Sequence, residues 1–253
     1  MRKIKDSNKT YHSHNSISAS GLKLIYKKSM YHFLNQTPYN SSAMNFGNAV
    51  HSVLLEPDNK DIIVLPQDIN LRLKKDREKR DSIIEKNKNK TLITYNENKA
   101  LQHIIDNVHS HNLASKLLLD INEVEHSYYG KIDDIDVRVR PDGLKRDRYI
   151  LDIKTCQDAS PQAFKSSIYK YAYHLQACFY SEALGYDPSE FRFIAIENKY
   201  PYDVAVYSLS EDLIEKGKLA WRIAFDSYKN YKEKNIVSGF NWDTLNNDGS
   251  LIV

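Results

Sequence analysis

Three side chains in one short stretch could do chemistry together. Asp142 follows Pro141 at the close of an alternating run in which Ile135, Val137 and Val139 share a face, and Asp152 and Lys154 flank Ile153 eleven positions on. Strand side chains alternate faces, so Asp152 and Lys154 point to the same side, where an Asp ending the preceding strand can meet them. Two carboxylates and an ammonium at one sheet edge suit a hard divalent cation and a phosphate. The backbone carbonyl of Ile153 offers a further oxygen ligand. Hydrolysis of a phosphodiester needs a water made nucleophilic at neutral pH and neutralisation of charge on phosphorus and on the leaving oxygen. Lys154 can orient or help deprotonate that water, or neutralise a non-bridging oxygen.

The elements that must position these groups are legible from periodicity. After a polar, irregular lead-in over 1–16, Ser18 caps a helix over roughly 18–35 that ends near Pro38. A second helix over about 42–55 carries Phe46, Val50, Val53 and Leu54 on one face and stops at Pro57, and its small Gly47 and Ala49 suit close packing against another backbone. Residues 62–66 read as a short strand and 96–119 as one helix. The period then shortens: 123–129 and 135–140 form a hairpin turned at Asp133-Asp134, and Gly143–Asp147 is a turn into a third strand, 148–153, buried on both faces. A long helix over 161–184 opens with Ser160-Pro161 and carries a core stripe of Phe164, Ile168, Tyr171, Leu175 and Phe179. A second stripe of Tyr169, Tyr173, Gln176 and Tyr180 is either a Tyr-rich boundary in a chain with 18 Tyr or a row of polar tips over the sheet edge where Lys154 ends. Strands at 191–197 and 203–209, a helix at 211–233 and a tail over 236–253 containing Trp242 complete the chain. The order is helices, then β-β-β-α-β-β-α: an α/β fold with a mixed sheet flanked by helices behind a helical N-terminal section.

Composition bounds the setting. The chain has 253 residues, 41% of them hydrophobic, 27% charged, and a formal net charge of +3. Two cysteines, Cys156 and Cys178, supply neither a disulfide framework nor a metal-cluster spacing, which points to a reducing, cytoplasmic setting. No secretory leader and no membrane span is expected. The positive charge is concentrated: 72–90 holds nine Lys/Arg against four acids. That stretch is either a solvated helix face or a basic lip for a phosphate backbone.

Pro141-Asp142, nine residues, and Asp152-x-Lys154 form an instance of the PD-(D/E)xK nuclease signature. An ordered set surrounds it: Gly47-Asn48-Ala49-Val50-His51 with Leu55-Glu56-Pro57, then Glu125-x-Ser127, Arg140-Pro141-Asp142, Asp152-Ile153-Lys154-Thr155, Tyr173-His174, Gln176 and Tyr180. With the Tyr11-His12 and Ser18-x-Ser20-x-Leu22 lead-in, this set resembles the nuclease domain of the RecE-type, exonuclease VIII-like phage exonucleases, related to lambda exonuclease and RecB nuclease domains. The resemblance spans about residues 11–235. It implies one PD-(D/E)xK nuclease domain over 1–253: a mainly helical section to about 120, the catalytic sheet and helices over about 121–235, then the tail. It also implies a Mg²⁺-dependent exodeoxyribonuclease, with Mn²⁺ able to substitute and two ions per site. Such an enzyme degrades linear double-stranded DNA 5′→3′ to 5′-mononucleotides, leaving 3′ overhangs for a RecT- or Bet-type single-strand annealing protein. A ring-shaped homo-oligomer in the cytoplasm of a bacterial host, encoded by a phage or prophage, is the implied assembly and setting.

Carried onto this chain, the resemblance makes Asp142 and Asp152 metal-holding acids and Lys154 the catalytic lysine. His51 is a ligand or helper for the second metal, Glu125 the acid of the first hairpin strand, and Gln176 and Tyr180 the motif after the lysine. Glu123 has the same strand parity as Glu125 and competes for its role, and Glu56 fits a helix end better than a metal. Arg138 and Arg140 can bind phosphate or pair with nearby acids, and Arg72 and Arg77 are candidates for a terminal 5′-phosphate by charge density alone. Two other readings share the acid–lysine trio: a PD-(D/E)xK endonuclease of restriction or repair type, and a non-enzymatic DNA-end binding module.

Overall fold

The computed structural model describes residues 1–37, 42–58, 61–69, 72–87 and 90–240. Trp242, the rest of the expected tail beyond residue 240, and Pro38 lie outside them. The chain begins with β1 (Arg2–Ile4), α1 (Asn8–Ser13), α2 (Ala19–Lys27), α3 (Met30–Leu34) and α4 (Ser42–Leu55). Next come β2 (Ile62–Val64), α5 (Lys74–Lys86), β3 (Thr91–Ile93), α6 (Tyr95–Ser110) and α7 (Asn112–Asp120). The strands β4 (Glu123–Val124), β5 (Ser127–Ile132), β6 (Ile135–Val139), β7 (Gly143–Lys145) and β8 (Tyr149–Cys156) follow. The chain closes with α8 (Pro161–Lys170), α9 (Tyr173–Leu184), β9 (Phe191–Glu197), β10 (Val204–Tyr207) and α10 (Glu211–Lys234).

A five-stranded sheet ordered β10-β9-β8-β7-β4 carries the core. β8 and β9 pair in parallel, and every other neighbour in that sheet is antiparallel. Residue alternation along β8 and β9 divides the interior. Ile150, Phe191, Phe193 and Ala195 pack under α2, α8, α9 and α10, while Leu151, Ile153, Ile194 and Ile196 pack against α4, α6 and α7. β8 is therefore apolar on both faces until its C-terminal half, where one face changes to Asp152 and Lys154.

Two small residues set the approach of α4 to this strand, as their size predicts. A Cβ on Gly47 would lie 3.3 Å from Thr155 Oγ1, and Ala49 is fully buried. On the opposite face, a Cβ on Gly217 of α10 would lie 2.5 Å from the His174 carbonyl oxygen, so α10 crosses α9 at a distance only glycine permits.

Three expected helices are each broken once. The 18–35 stretch breaks at Lys28 (φ −129°, ψ −90°), after which Ser29 caps α3 by accepting from His32 N–H. The 96–119 stretch breaks at His111, whose extended backbone and side-chain acceptance from Ala114 N–H start a new helix. The 161–184 stretch breaks at Tyr171–Ala172, with Ala172 in the left-handed conformation (φ 49°, ψ 48°). Tyr171 is consequently 47% exposed rather than part of the core stripe. Periodicity survives each break because apolar residues resume facing the core within a turn, so composition alone does not mark it.

The strands hold two further corrections. Asp133 (φ 45°) and Asp134 (φ 64°) turn a hairpin of β5 and β6, as two-residue hairpin turns require. Glu123 and Val124, however, leave that hairpin and pair with β7 in the five-stranded sheet, while β1 pairs with β5. Gly143–Lys145 is strand rather than turn, and the reversal falls at Arg146–Arg148 with Asp147 at φ 60°.

The lead-in over 1–16, expected to be irregular, instead forms β1 and α1, because β5 offers β1 a pairing edge, and it is tied to this corner by charge. Glu123 accepts from Tyr128 Oη, pairs with Arg146 at 2.7 Å and with Lys3 at 3.2 Å. Burial opposes its ionisation, but the bonds from Tyr128, Arg146 and Lys3 outweigh it and bring its pKa down to about 2 from 4.5. Because the folded-state value is depressed, this contribution is present at neutral pH and is lost as pH falls. Glu123→Gln is expected to cost about 2 kcal/mol in urea unfolding at pH 7. The gap to wild type should close between pH 4.5 and about 2; a gap independent of pH would remove the charge from this account.

Candidate active site

Five elements converge at the C-terminal half of β8. Asp142 sits just before β7, and β7 pairs with β8 only as far as Gly143 opposite Leu151. Beyond that point the Ile153 N–H has no strand partner on this side and donates to Asp142 Oδ2 at 2.6 Å. A strand residue's N–H and C=O point to the same edge, so the Ile153 carbonyl faces the Asp142 side as well. The Ile153 side chain is fully buried in the core below.

His51, on the last turns of α4, places Nδ1 3.3 Å from Asp142 Oδ2. Burial would lower the His51 pKa, but the charge and hydrogen bond of Asp142 outweigh it and raise it. Glu125 enters from the β4–β5 junction. Its backbone is left-handed (φ 51°), and its N–H donates to the Asp142 carbonyl at 3.1 Å. That conformation ends the strand alternation after Val124, and so Glu123 and Glu125 part despite equal parity. Glu123 serves the charge cluster described above, while Glu125 faces His51 and Asp142. Burial first, and the Asp142 charge second, push the Glu125 carboxyl up to about 7.

Among the described residues, His51, Glu125 and Asp142 form a group with metal-ligating atoms all within 4.8 Å of one another. Asp152 lies beside it, 2% exposed, with Oδ1 accepting from Gln176 Nε2 at 2.6 Å. Asp152 Oδ2 faces the Lys154 ammonium in an ion pair and is otherwise buried without a hydrogen-bond partner. Three carboxylates and an imidazole gathered at a partly buried edge are a donor set that fits a divalent cation. Burial disfavours the Lys154 charge, yet Asp152 and Asp142 together raise its pKa, so it stands as an ammonium, 4.9 Å from the Tyr173 ring centroid.

The motif after the lysine splits in two. Gln176 and Tyr180 are buried on α9, and Tyr180 Oη donates to the Arg140 carbonyl at 3.2 Å. It thereby supports the strand end that presents Asp142. Tyr169 is 40% exposed, on the far side of the helix break.

The flanking arginines hold structure. Arg138 is buried and donates to the His14 and Ser16 carbonyls. Arg140 pairs with Asp6 at 3.1 Å and with Glu125 at 3.6 Å. Both lie 5.1 Å from the Tyr11 ring centroid. Glu56 pairs with Lys5 at 2.8 Å. α5, which carries Arg77 and follows Arg72, buries none of its residues. One site residue escaped the sequence reading. Lys23 of α2 reaches in to donate to Gln176 Oε1, and its only sequence signal was a lysine next to the Leu22 and Ile25 stripe.

Burial and the Asp142 charge penalise the Glu125 carboxylate more than His51 and Arg140 relieve it, which gives the site a thermal signature. Glu125→Gln is expected to raise the melting temperature of metal-free protein by ~3 °C at pH 8. Added Mg²⁺ or Mn²⁺ should raise the melting temperature of wild type and leave that of Glu125→Gln or Asp142→Asn nearly unchanged. A wild-type protein indifferent to both ions in differential scanning fluorimetry would remove the metal reading of this cluster.

Comparison with known proteins agrees with the geometry. None of the curated proteins compared matches the chain. Among solved structures, a "Putative exonuclease" from Eubacterium rectale superposes with a TM-score of 0.60 at 12% identity, over 92% of this chain and 88% of that one. At that identity the likeness is one of fold. The crystal structure of SSO0001, at 12% identity over 78% of this chain and 90% of that one, reaches a TM-score of only 0.31 and carries no argument. Residues 18–238 match the family described as "PDDEXK-like domain of unknown function (DUF3799)". The mixed sheet, its flanking helices and the Asp142, Asp152 and Lys154 edge have the PD-(D/E)xK core architecture, and the chain belongs to that PDDEXK-like family.

Proposed function

We propose that this protein is a divalent-metal-dependent exodeoxyribonuclease that degrades linear double-stranded DNA. The observation that carries the reading is the gathering of His51, Glu125 and Asp142 ligand atoms within 4.8 Å of one another beside the buried Asp152–Lys154 ion pair. The same five residues belong to the ordered motifs that resemble RecE-type exonucleases, and the fold neighbour described as a "Putative exonuclease" covers nearly the whole chain.

In this mechanism Asp142, Asp152, Glu125, His51 and the Ile153 carbonyl would hold Mg²⁺, with Mn²⁺ able to substitute. Bound there, the ions supply Lewis-acid neutralisation of the phosphate and a water of lowered pKa. Lys154, kept protonated by its two acidic neighbours, offers positive charge to a non-bridging oxygen and orients the attacking water by donating to it. A lysine with a raised pKa serves poorly as a base, so the ammonium role is favoured over proton abstraction. Gln176 keeps the Asp152 carboxylate in one rotamer through Oδ1, leaving Oδ2 for the reaction side. Tyr180 fixes the strand end that presents Asp142.

The motif resemblance supports 5′→3′ polarity, release of 5′-mononucleotides and 3′ overhangs passed to a single-strand annealing protein. It also supports a ring-shaped homo-oligomer working in a bacterial cytoplasm. No helix among the described residues is long and apolar enough to cross a membrane.

End-labelled linear duplex and covalently closed circular DNA form the test. Mononucleotides should appear from the 5′-labelled linear duplex in Mg²⁺, and the circle should stay intact. Asp152→Ala and Lys154→Ala should each lower the rate by at least ~10³-fold. Cleavage of the circle would replace the exonuclease reading with an endonuclease one. Full activity in both variants would displace the site.

A further inference from the structure

α2 delivers a second ammonium to the site. Lys23 is half-buried, donates to Gln176 Oε1, and lies 5.1 Å from the centroid of the Tyr173 ring, the ring that Lys154 approaches to 4.9 Å. The Gln176 carboxamide stands between it and the acids. Its orientation follows from donor chemistry, because the Lys23 ammonium can only donate and so takes the amide oxygen. Oε1 therefore faces Lys23, and Nε2 faces Asp152.

The two lysines differ in one respect. Lys154 has a carboxylate partner in Asp152, whereas among the described residues Lys23 has a neutral amide and an aromatic face and no acid within ion-pair distance. A partly desolvated ammonium with no carboxylate in ion-pair contact is costly, and the cost is relieved when an anion arrives. Burial, and then the Lys154 charge, accordingly bring the Lys23 pKa down to about 7. Asp142 and Asp152 act in the opposite sense but do not restore it.

We propose that Lys23 is a substrate-contacting residue of this site, its ammonium binding a non-bridging oxygen of the DNA phosphodiester beside Lys154, with the substrate as its counter-ion. This rests on the nuclease reading above and adds to it a residue from an element outside the signature. Gln176 then has two tasks: it restrains Asp152 on one side and aims Lys23 at the phosphate on the other.

The test separates charge from scaffolding by the salt dependence of DNA binding, which counts phosphate contacts. Binding of a linear duplex is measured by fluorescence anisotropy over a salt series, with Ca²⁺ replacing Mg²⁺. Lys23→Met and Lys23→Gln should each flatten the slope of log K against log salt by about 0.7 to 0.9. In Mg²⁺ both should lower turnover about 100-fold, while Mn²⁺ affinity measured calorimetrically without DNA stays at the wild-type value or rises. Lys23→Arg should keep the slope and recover part of the turnover. An unchanged slope in both neutral variants would overturn the proposal, leaving Lys23 as a prop for Gln176, and so would unchanged turnover. If wild type binds DNA and cuts none, the nuclease reading fails while the slope still decides the role of Lys23. If wild type binds no DNA, both fall.

Discussion

The Asp142 carboxylate bound to the Ile153 N–H is the contact on which the rest of the site depends. It exists because β7 stops one residue short of Asp142, leaving a backbone donor of β8 without a strand partner. A buried amide must find an acceptor, and an acidic side chain at the end of the neighbouring strand supplies one. The same oxygen meets His51, and the carbonyl of the same residue anchors Glu125. One short strand pairing thus fixes two acids and an imidazole relative to β8, where Asp152 and Lys154 are already fixed by alternation.

Electrostatics at this edge are arranged asymmetrically. Lys154 is saturated by acid neighbours and keeps its proton, Glu125 is pushed toward neutrality, and Lys23 is held near its titration point by burial. Glu125 and Lys23 are strained in the direction that an incoming cation and an incoming phosphate, respectively, would relieve. Such perturbed groups gather at functional sites because the fold bears the cost before the ligand arrives.

The part of this site visible in the sequence was the part governed by local rules. Asp152 and Lys154 share a face because strands have a period of two. Gly47 and Ala49 announced a close helix crossing by size. Asp133-Asp134 announced a hairpin because few residues tolerate the left-handed turn. What stayed hidden was set by tertiary contacts. The breaks at His111 and Ala172 preserve apolar spacing and so leave no trace in it. Glu123 and Glu125 are indistinguishable by parity, and only the left-handed backbone at Glu125 sends them to different neighbours. Lys23 is a surface-type residue by sequence, and its inward direction depends on where α2 lies against α9. Arg138 and Arg140, flanking the motif, suggested phosphate binding, but the carbonyls of the His14 and Ser16 turn and the Asp6 carboxylate claim them first.

The pairing of β1 with β5 bears on the order in which the protein can assemble. Arg2 lies opposite Tyr129, and Asp6 accepts from Ser127, Tyr129 and Arg140, so these partners lie at least 121 positions further along the chain. Closing so long a loop carries an entropic toll that the local β5–β6 hairpin does not face. Docking of the N-terminal strand therefore belongs among the late steps of folding. Because Arg140 bridges that strand to Glu125, the acidic cluster reaches its final register only when the two ends of this long loop have met.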